Sequence, residues 1–305
     1  MDVKTIAVIG AGTMGRGIAY AAAFGGYKTV LEDISPRVLE QGVAWIRQSF
    51  EEGVARGKVE AAIRDKALAL LSTATDVKDA IRDAELIIEA VPEELEMKLE
   101  LFTIFDKFAK TGAIFASNTS SLSISDFTDV TVSRERCIGM HFFNPVPKMK
   151  LIELVRTPHT SEETVATCRE VARAMGKEVV LVIEAPGFIT TRINALIGNE
   201  AFNMLEAGVA TAEDIDKALK LGLNHPMGPF ELVDLVGLDV RLNILEYLHS
   251  TLGEKYRPNE LLRHYVKEGR LGRKSGRGVY DYPQQKAAGQ ATGEQKGVEK
   301  AEKKA

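Results

Sequence analysis

The sequence has few cysteines and no long hydrophobic run, and both absences narrow the class of protein. The two cysteines, Cys137 and Cys168, have no metal-ligand spacing, so neither a disulfide framework nor a metal site is expected. No stretch of about 18 apolar residues is present, which excludes a membrane-spanning helix. A strand pattern begins by Thr5, which leaves no room for a signal peptide. We therefore expect a cytoplasmic protein, whose thiols stay reduced.

The charge balance gives no support to nucleic-acid binding. The chain carries 39 basic and 43 acidic side chains, for a net charge of −4, whereas nucleic-acid-binding domains usually have a basic excess. Hydrophobic residues make up 45% of the chain, as in an ordinary globular protein. The length of 305 residues predicts two domains or one large one.

Two patterns divide the chain near residue 184. Before it, short apolar runs alternate with amphipathic segments, which predicts a Rossmann-type, mostly parallel sheet covered by helices. Ser35-Pro36 marks a helix start, and the segment 36–70 is predicted to form an inserted helical hairpin. The predicted strands span residues 6–9, 29–31, 86–89, 113–116, 138–141, 151–155 and 179–183.

Only helical patterns follow Pro186-Gly187, a pair that typically interrupts regular structure. Helices are predicted over 188–206, 212–221, 230–252 and 260–268. From residue 284 the chain is rich in Lys, Glu, Gln and Gly without an aromatic side chain, a composition typical of disorder. We therefore predict an α/β nucleotide-binding domain over 1–184, an all-α domain over 185–283 and a flexible tail over 284–305.

The run Gly10-Ala11-Gly12-Thr13-Met14-Gly15 follows the first predicted strand and opens a helix. Glycines in this context allow a tight turn and let a pyrophosphate approach the helix N-terminus. Asp33 follows the second strand, where a carboxylate binds the ribose 2′-hydroxyl of NAD. Glu32 beside it further disfavours the 2′-phosphate of NADP. The alternative is a glycine-rich turn kept for packing, with Asp33 an ordinary surface acid.

A histidine and a glutamate lie in consecutive predicted strands. His141 ends one strand, and Glu153 lies inside the apolar run of the next. A carboxylate in a buried strand is costly without a partner, and His141 on a neighbouring strand supplies one. Such a pair fixes the imidazole tautomer and raises its basicity, as a general base requires. The alternative is a purely structural ion pair.

Polar residues follow the strand predicted at 113–116, in the run Ser117-Asn118-Thr119-Ser120-Ser121. Ligands of open α/β sheets bind beyond the carboxyl ends of the strands. These side chains therefore favour contacts to a cofactor or a substrate. The alternative is a capped turn whose hydroxyl groups are satisfied locally.

Four motifs of this chain occur together in one known family. They are the glycine turn from Gly10, Ser117-Asn118-Thr119-Ser120-Ser121-Leu122, His141-Phe142-Phe143-Asn144-Pro145-Val146-Pro147 and Asn224-His225-Pro226-Met227-Gly228-Pro229. With them the sequence resembles the L-3-hydroxyacyl-CoA dehydrogenase family, especially its bacterial 3-hydroxybutyryl-CoA dehydrogenases, and the resemblance covers residues 3–282. A fifth segment, from Gly272 to Tyr280, is similar to the glycine-lysine motif near the end of the family's sequences.

The resemblance implies reversible oxidation of an L-3-hydroxyacyl-CoA of short chain, with NAD as cofactor, in lipid metabolism. It implies that His141 is the base, that Glu153 orients it and that Ser120 hydrogen-bonds the substrate oxygen. It implies a homodimer formed through the helical domain. The spacing of the cysteines and histidines, taken by itself, predicts no metal site. The implied NAD contacts are Gly10, Gly12, Thr13, Met14, Gly15, Asp33, Glu93, Lys98, Ser120, Asn144 and Lys274, and the implied CoA contacts are Ser49, Arg56 and Ser120.

One position departs from the family pattern. After Pro186-Gly187-Phe188 the family commonly has a catalytic asparagine before an arginine, whereas this chain has Thr191 before Arg192. Asn194 lies one helical turn further on and shares a helix face with Thr191. We assign the role to Thr191 because its place in the motif is the stronger indication, with Asn194 as the alternative.

Two other functions stay open at this point. A dehydrogenase of a small hydroxy acid or sugar acid without CoA would have the same fold, and Ser49 with Arg56 on the hairpin favours CoA instead. A nucleotide-binding protein without catalysis would have the same glycine turn. The pair of His141 and Glu153 argues against that class, because a protein that only binds needs no base.

Overall fold

The computed structural model describes residues 1–282, so the tail predicted over 284–305 lies outside the described residues. The chain divides into two compact units. The first comprises residues 1–197 and 244–257, and the second comprises residues 198–243 and the described residues from Pro258 onward. None of the helices within residues 1–282 has the length and apolar composition to cross a membrane.

One sheet of eight strands forms the first unit, in the order β3-β2-β1-β4-β5-β6-β7-β8. Neighbouring strands pair in parallel except β6 and β7, which are antiparallel. The predicted mostly parallel sheet is therefore confirmed. The strands are β1 Thr5–Ile9, β2 Lys28–Glu32, β3 Leu71–Ala74, β4 Leu86–Glu89, β5 Ile114–Ser117, β6 Cys137–Phe142, β7 Leu151–Arg156 and β8 Glu178–Ile183.

Helices cover both faces of this sheet and bury one apolar cluster on each. The inserted hairpin consists of α2 and α3, and the Ser35 hydroxyl caps α2 by accepting from the Val38 N–H. Proline at the first position of α2 fits this start, because that N–H has no helical partner. The helices are α1 Thr13–Phe24, α2 Pro36–Ala55, α3 Ala61–Ala69, α4 Val77–Ile81, α5 Leu95–Phe108, α6 Ile124–Thr128 and α7 Glu162–Ala174.

No further strand follows β8 within the described residues, as predicted, and two isolated β-bridges at Arg277 are the exception to a helical pattern there. The single helix expected over 230–252 is wrong, because Gly237 divides it at a φ of 111°. Only glycine adopts that conformation readily, and a Cβ there would lie 2.9 Å from Asp239 Oδ1. The helices are α8 Thr190–Glu206, α9 Ala212–Gly222, α10 Pro229–Val236, α11 Leu238–Leu252 and α12 Glu260–Lys267.

Two buried aspartates fix the last described residues within the second unit. Asp216 on α9 accepts a hydrogen bond from the Tyr280 hydroxyl at 2.8 Å. Asp234 on α10 accepts from the Tyr282 hydroxyl at 2.9 Å and from the backbone N–H groups of Val279 and Tyr280. Buried carboxylates require such donors, so these bonds hold the segment up to Tyr282 on the helices.

Candidate active site

The register of the strands brings several sequence motifs to one edge of the sheet. Ile9 at the end of β1 lies opposite both Glu32 and Glu89, and Glu89 lies opposite Ser117. Because these strands are parallel, the residues that follow them emerge at the same edge. Ligands of open α/β sheets bind at this edge.

The glycine turn between β1 and α1 forms a close backbone cradle. Gly10 has a φ of +96°, and a Cβ there would lie 2.8 Å from the Ala90 carbonyl oxygen. A Cβ on Gly15 would lie 1.7 Å from the Gly10 carbonyl oxygen, whereas one on Gly12 would meet nothing within 4 Å. Thr13 and Met14 open the helix that follows. This turn leaves open space at a helix N-terminus, which fits a pyrophosphate.

The two acids at the end of β2 have different surroundings. Asp33 Oδ2 accepts from the Ala11 N–H at 3.0 Å, and its Oδ1 accepts from the Ser35 N–H at 2.9 Å. Each oxygen of Asp33 keeps a further lone pair for a ribose hydroxyl. Glu32, expected to act beside it, is only 2% exposed. Burial and the charges of Asp33 and Asp76 raise the pKa of Glu32 to about 7.

His141 and Glu153 lie directly opposite each other in the antiparallel pair of β6 and β7. Nδ1 of His141 lies 2.8 Å from Oε2 of Glu153, and the two residues are 5% and 1% exposed. Thr190, the first residue of α8, donates to Glu153 from its backbone N–H at 3.0 Å and its hydroxyl at 3.2 Å. Burial raises the pKa of Glu153, but His141 and Thr190 outweigh it and lower that pKa overall.

Two aromatic rings flank the imidazole. The ring centroid of Phe143 lies 4.5 Å from that of His141, and the centroid of Phe188 lies 5.7 Å away. Within residues 1–282, Nε2 of His141 has no hydrogen-bond partner. With Nδ1 bound to Glu153, Nε2 is the nitrogen that can exchange a proton with a ligand.

A buried lysine joins two carboxylates behind the polar run that follows β5. Nζ of Lys98 lies 2.8 Å from both oxygens of Glu89 and 3.3 Å from Oε2 of Glu93. Glu89 also accepts from the Ser117 hydroxyl at 2.5 Å. Lys98 and Glu89 are at most 1% exposed. We call Glu89, Lys98 and Glu93 the carboxylate–lysine clamp.

The clamp fixes the loop that contains Ser120. Oε1 of Glu93 accepts from the Thr119 hydroxyl at 2.6 Å and from the Ser120 N–H at 2.9 Å, and also from Ser121. Burial raises the pKa of Glu93, but Lys98 and these donors lower it overall. The Ser120 hydroxyl forms no hydrogen bond with the part of the chain that is described, so it can bind a ligand.

Two of the three expected CoA residues, Ser49 and Arg56, line one cavity of about 770 Å³, whereas Ser120 does not line it. Ser49 lies on α2, and Arg56 follows the end of that helix. The cavity wall also includes three lysines: Lys58, and Lys148 and Lys150 from the turn between β6 and β7. Arg56 also forms an exposed ion pair with Glu52 at 3.3 Å. A basic cavity of this volume suits a ligand with several phosphates.

Three expected site residues are not drawn into these clusters. Asn144 is exposed in the turn after β6. Lys274 lies in the second unit, where its Nζ is 2.6 Å from Asp239 Oδ1. Thr191 is the second residue of α8, and Asn194 lies one turn later. The helix therefore allows either residue to take the role that the family commonly gives to asparagine.

Two residues of these networks were not identified from the sequence. Glu89 ends the apolar run of β4 in the way that Glu153 interrupts that of β7, and a buried acid of this kind was a usable signal. Thr190 gave no such signal, because its contact to Glu153 depends on the exact start of α8.

Comparison with known proteins identifies two family models. The model described as "3-hydroxyacyl-CoA dehydrogenase, NAD binding domain" matches residues 5–185. The model described as "3-hydroxyacyl-CoA dehydrogenase, C-terminal domain" matches residues 187–282. Together they span nearly all of the described chain.

Similar proteins match over most of their length. The probable 3-hydroxybutyryl-CoA dehydrogenase of Bacillus subtilis is 44% identical over 92% of this chain and 98% of its own. The human mitochondrial hydroxyacyl-coenzyme A dehydrogenase is 41% identical, over 92% and 91% respectively. The crystal structure of (S)-3-hydroxybutyryl-CoA dehydrogenase PaaH1 from Ralstonia eutropha has a TM-score of 0.89 and 41% identity, and it covers 93% of this chain and 100% of PaaH1.

The glycine turn, the acid after β2 and the matched NAD-binding model define an NAD-dependent oxidoreductase with a Rossmann-type sheet. The two family models and the similar proteins then identify the family within this class. The chain belongs to the 3-hydroxyacyl-CoA dehydrogenase family.

Proposed function

We propose that this chain oxidises short L-3-hydroxyacyl-CoA thioesters, such as 3-hydroxybutyryl-CoA, and that His141 is the general base. The hydrogen bond of 2.8 Å between His141 Nδ1 and Glu153 Oε2 carries the assignment. It holds the imidazole with Nε2 available, and it places a buried anion where an imidazolium would form. The Thr190 N–H and hydroxyl keep that anion in position.

The oxidation moves one proton and one hydride. The substrate hydroxyl transfers its proton to Nε2 of His141, the hydrogen on C3 leaves with its electron pair, and the C–O bond becomes a carbonyl. NAD, when bound at the glycine turn, supplies the acceptor for that hydride. Glu153 remains a carboxylate and stabilises the imidazolium, and the Ser120 hydroxyl donates to the substrate oxygen. In the reverse direction the His141 imidazolium returns the proton.

The proposed cofactor contacts are the cradle from Gly10 to Gly15 and Asp33. Asn144 and Lys274 are further proposed contacts, on the family pattern alone. We propose that Lys98 supports the cofactor site without binding the cofactor itself, and that Glu93 is the residue it holds in place. The Nζ of Lys98 is buried between two carboxylates, so this residue acts on the cofactor side by holding Glu93 and the Ser120 loop.

The substrate assignment has a direct test. Reduction by NADH is measured with acetoacetyl-CoA and with free acetoacetate at equal concentration. We expect kcat/KM to be at least about 100-fold higher for the thioester, because remote binding energy supports catalysis. Equal values for the two substrates would instead indicate a dehydrogenase of small hydroxy acids without CoA, and no turnover of either would indicate a nucleotide-binding protein.

We also propose a homodimer formed through the helical second unit. This unit exposes several large apolar side chains, including Leu221 at 78%, Val209 at 68% and Leu223 at 66%. Exposed apolar surface of this kind typically marks a protein interface. Light scattering should give twice the chain mass, and a Leu221→Lys, Leu223→Lys double variant should give the monomer mass.

The proposed place of action is the cytoplasm. Cys137 and Cys168 are both free thiols and both buried, which fits a reducing compartment. Cell fractionation of a tagged chain should recover it with cytoplasmic markers, and recovery with membrane markers would contradict this placement.

A further inference from the structure

Arg16 on the first turns of α1 has an unusual environment for an arginine. Its guanidinium carbon lies 4.8 Å from the centroid of the Trp45 ring. Its Nε is buried without a hydrogen-bond partner, and no ion pair joins it to any residue in 1–282. A buried N–H donor without an acceptor is unfavourable unless a ligand supplies one.

Arg16 lies near the basic cavity beside α2. Tyr20 and Phe24 on α1 line that cavity, as does Trp45. Arg16 lies four residues before Tyr20, so the two share a helix face. The next residue, Gly17, packs against Val146, because a Cβ there would lie 2.9 Å from the Val146 side chain. Arg16 is not itself a lining residue, but its contact with Trp45 puts it beside the cavity, toward the N-terminal end of α1.

The charge of this wall favours an anion. Arg56, Lys58, Lys148 and Lys150 line the cavity, and Glu52 is its only acidic lining residue within residues 1–282. A planar guanidinium held on an aromatic ring is preorganised for two parallel hydrogen bonds to a phosphate. Phosphates reach this part of the molecule from CoA in the cavity or from NAD at the Gly12–Gly15 turn.

We propose that Arg16 binds a phosphate of the CoA moiety, as a specificity-determining residue for thioester substrates. This inference rests on the proposed function. The contact of Arg16 with Trp45, a lining residue of the cavity, favours CoA over NAD as the source of the phosphate. The backbone cradle already supplies the N–H donors that suit the NAD pyrophosphate.

The test compares acetoacetyl-CoA with the N-acetylcysteamine thioester of acetoacetate, which has the same reacting atoms and no phosphate. Arg16→Met keeps an extended side chain on Trp45 and removes the charge. We expect the KM for acetoacetyl-CoA to rise about tenfold, with kcat and the KM for the short thioester changed less than about twofold. Arg16→Lys keeps the positive charge but lacks the planar guanidinium, so it should raise the KM for acetoacetyl-CoA by about threefold.

Arg47 is the matched control, because it lies on the same helix as Trp45 but lines a separate groove with Pro36 and Leu68. Arg47→Met should leave all of these constants unchanged. An unchanged KM for acetoacetyl-CoA in Arg16→Met overturns the inference, and so does a rise confined to the KM for NADH. Circular dichroism and the inhibition constant of free CoA, measured for both Arg16 variants, separate lost binding from lost folding.

The wild-type enzyme distinguishes this inference from the function on which it rests. If wild type uses both thioesters equally well, the proposed CoA substrate fails. If wild type prefers acetoacetyl-CoA and Arg16→Met keeps the full preference, only the role of Arg16 fails.

Discussion

The two halves of the sheet's carboxyl edge are built differently. Around β1 and β2 the site consists mainly of backbone, with Gly10 and Gly15 packed too closely for a Cβ and with Asp33 held by two N–H groups. From β4 to β7 it consists of charged side chains, which are buried in Glu89 and Lys98 of the clamp and in the pair of His141 and Glu153.

Under the proposed function, this difference corresponds to a division between cofactor binding and chemistry. A backbone cradle offers fixed dipoles to a ligand and needs no protonation change. A base must gain and lose a proton, so it needs a neighbouring group that stabilises its charged form. We therefore expect changes in the catalytic half to reduce turnover or stability strongly, and changes beside the cradle to have smaller effects.

The largest effect is expected from His141→Ala. Loss of a general base typically reduces the rate about 10²–10⁴-fold, and we expect kcat to fall within that range. The Kd for NADH, measured by fluorescence titration, should change less than about threefold, because the cradle is untouched. A comparable loss of NADH binding would show that the two halves are not separable in this way.

The clamp should be the next most sensitive feature. Glu89→Gln leaves the buried Lys98 with Glu93 as its remaining carboxylate, so we expect the free energy of unfolding to fall by about 3 kcal/mol. Asp79→Asn is the control, since the ion pair of Asp79 with Arg82 is exposed and should contribute less than about 1 kcal/mol. Denaturant titration of both variants measures the difference, and equal losses would remove the distinction.

The start of α8 offers a sharper test of the catalytic half. Thr191→Val removes the hydroxyl and keeps the shape, and we expect kcat to fall about tenfold, the size of one lost hydrogen bond to the reacting oxygen. Asn194→Ala should reduce kcat less than about threefold. If the two results are reversed, Asn194 has the role that the family gives to asparagine.

The smallest effect is expected from Glu32→Gln. The Glu32 carboxyl stays protonated in the folded chain up to a pKa of about 7 but ionises near 4.5 when unfolded. Raising the pH from 5 to 8 therefore favours the unfolded chain. We expect the variant to gain about 3 °C in Tm over wild type at pH 8 and almost nothing at pH 5. Glu40→Gln is the control, because Glu40 is exposed on the surface, and its Tm should stay within about 1 °C of wild type.

The sequence was sufficient for features that depend on local pattern. The alternation of apolar runs predicted seven of the eight strands. The glycine run that follows the first of them predicted the turn at the end of β1. The strand β3 was missed because it has four residues, Leu71–Ala74, of which two are exposed, so no apolar run identifies it. The break at Gly237 depends on a backbone angle that one glycine in an apolar helical pattern does not reveal.

The site was predictable where a buried acid had an evident partner nearby in the chain. Glu153 and His141 lie on consecutive strands, so their pairing followed from adjacency. The clamp joins β4, α5 and the loop after β5, and its partners become neighbours only through the strand order. The same holds for Arg16 and Trp45, which lie on two helices and meet through helix packing.

The pH dependence of alcohol oxidation tests the central claim, that Glu153 sustains His141 as the base, most directly. The measurement is kcat/KM for L-3-hydroxybutyryl-CoA with NAD between pH 5 and 10, in wild type and in Glu153→Gln. Without the neighbouring anion the imidazolium that forms during oxidation is less stable, so proton transfer to His141 is slower. The account predicts that the highest kcat/KM reached in this pH range falls by about tenfold or more in Glu153→Gln. An unchanged maximum in Glu153→Gln would contradict it.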